Sequence, residues 1–117
     1  MKRKPGTTIY RGIRVSPEEK TGSDSLVYVD DKPLNPKASQ NICNHSPNGF
    51  NWGYGGSGPA QLALAILLDY YGNRAEAVRY YQSFKFAVIG RLPQEGDWTM
   101  TGTDIEAAMA AIRSEEK

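Results

Sequence analysis

Cysteine and histidine each occur once in the 117 residues, as Cys43 and His45. A single cysteine excludes an internal disulfide and suits a reducing compartment. The pair also falls short of the four ligands that a structural zinc site takes. Charge of one sign is lacking too: 14 lysines and arginines against 13 aspartates and glutamates leave a formal net charge of +1. Such a chain has no global field to draw in nucleic acid or an acidic membrane, so both are unexpected partners. No apolar run approaches the roughly 20 residues that span a bilayer. The longest, Leu62 to Leu68, suits a buried helix. The first residues carry no apolar signal region, so a cytoplasmic location is expected. Internal repeats and a dividing linker are missing as well, which leaves a single domain over residues 1–117. Met1-Lys2-Arg3-Lys4 is locally basic, and residues 1–7 read as a flexible basic tail.

What is present alternates between strand and helix patterns. Thr8 to Val15 reads as a first strand, with Ile9, Arg11 and Ile13 on one face and Tyr10 and Gly12 on the other. Ser16 to Asp24 is polar and holds Pro17 and Gly22, so it reads as a loop. Ser25 to Val29 is rich in β-formers and makes a second strand; Asp30-Asp31 turns it into a short extension ending near Leu34. Asn35 to Asn48 should be irregular. A helix starts at Pro59 and runs to Tyr71, apolar nearly all round and therefore central. Gly72 suits a left-handed helix end, and Asn73 with Glu76 suits the start of the next helix. Phe86 to Gly90 reads as a third strand, and Thr103 with Glu106 as the capping box of a last helix. The expected fold is α/β (α+β): a small mixed sheet of three to four strands with about three helices, in the order β-β-α-α-β-α.

Five of the twelve glycines fall between positions 49 and 58. Glycine costs chain entropy, so such a cluster needs a cause. Close approach of backbone to a ligand is one, and the cluster feeds directly into a helix start, where free amides and the dipole favour an anion. Phe50, Trp52 and Tyr54 alternate with other residues and share a side if the segment is extended. Exposed rings stack on a base, and the amides of Asn51 and Gln61 read its edge. The candidate ligand-binding residues are therefore Phe50, Asn51, Trp52, Tyr54, Gly55, Gly56, Ser57, Gly58 and Gln61. The other cause is structural: a tight crossover that packs its glycines against neighbours and buries its aromatics. Both readings stand at the level of sequence. Gly53 to Gly58 matches GxGxxG by letter, but the preceding strand and the later acid of a dinucleotide site are missing, and no Lys-Ser or Lys-Thr follows as in a Walker loop.

Other chemistry is thin. Cys43-Asn44-His45 puts a thiol near a base, yet residues two apart rarely face each other well. Asp30 and Asp31 suit a turn better than a metal. Arg74, Arg79, Lys85 and Arg91 read as solvated, with any of them able to complete a phosphate site if it faces the glycine stretch. The pairs Tyr70-Tyr71 and Tyr80-Tyr81 suit a core edge or a subunit interface, so a homo-oligomer is open. No catalytic residue, metal site or cofactor is expected.

The run GFNWGYGGSGPAQLALAILLDYYG at positions 49–72 resembles the hallmark of a small uncharacterised protein family found in phages, plasmids and bacterial genomes. Tyr10-Arg11-Gly12, DDKPLNP, NHSPNGF, YQSFK and WTMTGTDI resemble further landmarks of that family, so the likeness covers most of the chain. The resemblance implies no catalytic residues. It implies a mobile-element setting, in which a host-directed or anti-defence role is reasonable. Two functions follow as expectations. The first is non-enzymatic binding of a small phosphorylated or nucleotide-like ligand, sequestering a host signalling nucleotide. The second is a protein-interaction module that inhibits or adapts a host complex.

Overall fold

Alternation in the first strand decides how the sheet lies. A computed structural model describes residues 2–15 and 25–116; the expected loop at 16–24 lies outside them. Strand β1 (Ile9–Arg14) sits inside a four-stranded antiparallel sheet of order β3-β2-β1-β4, with β2 at Ser25–Val29, β3 at Lys32–Pro33 and β4 at Trp98–Thr101. Tyr10 and Gly12 point into the core together with Val27, Val29, Trp98 and Met100, while Ile9 and Arg11 face outward. Asp30 and Asp31 both take positive φ, at 49° and 68°, which is the two-residue turn that joins β2 to β3 without splaying them.

The α/β (α+β) class and the expected order stand, with three corrections. Every strand pairing is antiparallel, so the sheet is not mixed. Residues 86–90 form no strand: they finish helix α3 (Arg74–Ala87) and pass into a 3-10 turn at Ile89–Arg91. Residues 35–48 are not wholly irregular, since Lys37–Ile42 forms the short helix α1. The helices α2 (Ser57–Tyr71) and α4 (Gly102–Ser114) are the others among the described residues.

Helix α2 is the axis of the molecule. From Gly58 to Leu67 every residue is buried, and Tyr70 with them. It ends as its sequence demands: Gly72 is left-handed at φ 62°, and its amide donates to the Leu68 carbonyl at 2.9 Å. Asn73 then caps α3, its side chain accepting from the Glu76 amide. The capping box of α4 lies two residues earlier than the sequence pattern suggests, as Thr101 with Asp104. The basic N-terminal stretch is tied to these elements. The Arg3 amide donates to the Tyr70 carbonyl at 2.7 Å, the Arg3 guanidinium spans Asp30 and Asp69, and Lys2 pairs with Glu106.

Candidate functional site

The glycine-rich stretch is a corner that delivers the chain to α2, and its residues divide into an inner and an outer set. Phe50 is buried, and its carbonyl accepts from the Ser25 hydroxyl. The Asn51 side chain accepts from the Trp52 amide at 2.9 Å, and its Cβ lies so near Gly58 that a Cβ there would stand 2.5 Å away. Trp52 is fully buried. Its indole N–H donates to the Pro93 and Gly96 carbonyls, each at 3.1 Å. Its ring meets Trp98 edge-on at 5.6 Å and carries the Arg14 guanidinium at 4.0 Å. These three residues hold the corner together.

Gly53 is where the stretch changes direction. At φ 85° it takes a conformation that L side chains rarely adopt, and a Cβ would fall 2.4 Å from the Gln94 Cα. Its amide donates to the Ile89 carbonyl at 3.0 Å. This reversal overturns the expectation that three aromatics share one side. Trp52 points inward and Tyr54 outward, 39% exposed, with its ring lying over Gly56.

Beyond the reversal, the chain forms a rim. Gly56 precedes the first helical residue in an extended conformation and offers no side-chain cap. Among the described residues, the amides of Ser57 and Gly58 have no acceptor; Gly58 is buried, where an unpaired amide is costly. The end of α3 docks against this rim. A Cβ on Gly55 would sit 3.6 Å from the Phe86 ring, and one on Gly90 would sit 3.2 Å from the Tyr54 and Lys85 carbonyls. Phe86 is 62% exposed. Lys85 is only 8% exposed; its ammonium lies 4.1 Å from the centre of the Phe86 ring, with no carboxylate partner among the described residues. The aliphatic stem carries this burial, and the ammonium reaches the surface beside the Phe86 ring.

The candidate residues therefore separate. Tyr54, Gly55, Gly56 and Ser57 lie on the rim, Gly58 closes it from behind, and Phe50, Asn51 and Trp52 are internal. Gln61 belongs elsewhere. Fully buried, it accepts from the His45 and Ser46 amides at 2.7 and 3.0 Å and donates to the Ser39 hydroxyl at 2.9 Å, fastening α1 and its following loop to α2. Sequence reasoning missed Phe86, which it placed in a strand, and left Lys85 among four undistinguished cations. Among the described residues, no group of three His, Cys, Asp or Glu is placed to hold a metal ion. Likewise, no helix there is long and apolar enough to cross a membrane.

Fold and site together define a small α+β domain organised on one buried helix with a glycine-rich start. The chain belongs to the family of unknown function DUF6166, whose model matches residues 10–111. No curated protein and no solved structure matches it.

Proposed function

We propose that the protein binds a small phosphorylated, nucleotide-like ligand at the rim, without transforming it. One observation carries this reading: Lys85, largely buried and without a carboxylate partner among the described residues, lies at the end of α3 that docks against the rim, whose Ser57 and Gly58 amides have no acceptor there. A phosphate at the rim that reached both would satisfy a cation and two amides at once. Tyr54 and Phe86 supply exposed rings for a base, and Gly55 and Gly56 let the ligand approach the backbone. Phe50, Asn51 and Trp52 then support the site from within and do not touch the ligand, and Gln61 stands outside it at the junction of α1 and α2. In a phage or plasmid setting, such a binder would sequester a host signalling nucleotide.

Titration calorimetry with a panel of linear and cyclic nucleotides tests the reading. Wild-type protein should bind at least one member, and Lys85→Met should weaken that binding by roughly tenfold or more, the scale of a charged hydrogen bond. Folded wild-type protein that binds no member at millimolar ligand would sink it.

A second reading has its own observation. Among the described residues, no helix covers the outer face of the sheet, where Ile9 and Leu26 are exposed and Tyr28 is partly so. That face suits a protein-interaction module that inhibits or adapts a host complex, or a homo-oligomer. Charge substitutions at Ile9 and Leu26 should abolish a stoichiometric complex isolated from host lysate, and an unchanged complex counts against the face.

A further inference from the structure

We propose that the cavity between α1 and α3 is a second ligand site, taking a small amphiphile with an aliphatic body and a carboxylate head. The cavity measures about 600 Å³ and is lined by Ile42 and Cys43 at the end of α1 and by Arg74, Ala75, Val78 and Tyr81 of α3. That volume is ordinary for a small-molecule site. Spacing of four and three residues sets Arg74, Val78 and Tyr81 on one side of α3. Val78 is left 44% exposed there, beside the stripe of the helix that buries Ala77, Tyr81 and Phe84.

The walls are fixed by hydrogen bonds. The Cys43 amide donates to the Ser39 carbonyl at 2.9 Å and ends α1. His45 Nε2 and the Tyr81 hydroxyl hydrogen-bond at 2.7 Å, and buried Gln61 holds the His45 and Ser46 amides. The loop carrying the thiol is thus fastened to both α2 and α3, so the cavity is preformed and little ordering entropy opposes a ligand.

The head group follows from charge. Arg74 makes no ion pair or hydrogen bond among the described residues, although it stands in the first turn of α3, the positive end of the helix. Asn73 takes up only the Glu76 amide among the first-turn donors. An anion beside Arg74 answers the guanidinium and the helix end together, and the planar guanidinium fork matches a carboxylate. Ile42, Ala75 and Val78 then receive an alkyl chain. This site stands apart from the rim and does not depend on it.

Cys43 is the only thiol, so it reports on the cavity without ambiguity. The test is its rate of alkylation by N-ethylmaleimide, followed by mass spectrometry with octanoate or octylamine present. Octanoate near saturation should slow alkylation roughly fivefold or more, while octylamine should not. Arg74→Met should lose the protection, read as the ratio of its own alkylation rates with and without octanoate. Three results overturn the proposal: no protection by octanoate, equal protection by octylamine, or protection that persists in Arg74→Met. Val78→Trp, which fills the cavity, gives a second measure, because calorimetric binding of octanoate should disappear while the thermal transition remains.

Discussion

Gly53 shows how one backbone angle sorts the side chains of the corner. The sequence pattern of aromatics at 50, 52 and 54 suggests a common side, because extended chain alternates with period two. A single left-handed residue breaks that period. Its φ of 85° turns Tyr54 to the surface while Trp52 stays in the core. The glycine cluster itself was legible as a special place, since only a strained or crowded path calls for so many. Which ring faces outward was not, because φ at one glycine is not written in its neighbours. Gly53→Ala should therefore destabilise the fold by about 3 kcal/mol, combining the left-handed penalty with the collision at Gln94. Urea unfolding measures it, and a loss below about 1 kcal/mol would mean that the corner has another path.

At the scale of elements, end signals were legible where they are local and misplaced where two registers compete. Gly72 and Asn73 end one helix and start the next as their chemistry requires. Phe86-Ala87-Val88-Ile89 is rich in β-formers, yet Phe86 and Ala87 finish α3, Val88 caps it and Ile89 opens the 3-10 turn, because Phe84 and Ile89 are both buried in the core and the Val88 amide still donates to Phe84. Tertiary burial outweighs the weak preference of exposed β-formers. The strand that does form, β4, is short and includes Trp98, whose indole lies across Gly12 of β1, so its pairing depends on a residue 86 positions away. The last helix offers a clean test of register. Thr101→Ala removes the cap and should cost about 1 kcal/mol, whereas Thr103→Ala should be close to neutral. Equal losses in thermal melts would contradict the assignment.

For the whole molecule, phenol–carboxylate contacts join β1 to α2 and α2 to α4. Tyr10 of β1 donates to Asp69 of α2 at 2.6 Å, and Tyr70 of α2 donates to Glu106 of α4. Burial, then the adjacent carboxylate, pushes both phenols above their ordinary range. Below about pH 10 they are neutral in folded and unfolded chains alike. Above it the unfolded chain loses these protons first, so stability falls as the pH rises. Thermal melts from pH 8 to 11 should show that decline, and Tyr10→Phe with Tyr70→Phe should flatten it. An equally steep decline in the double variant would place the cause elsewhere. None of these pairings was readable in the sequence, since they join residues 59 and 36 positions apart.

Trp52 and Trp98 are the only two tryptophans, and their buried, edge-on contact has an optical consequence. Intrinsic fluorescence of this protein should be blue-shifted, and it reports the joint between the glycine corner and β4 rather than the molecule at large. A red shift that precedes the loss of helical circular dichroism would mean that the corner opens while α2 is still intact.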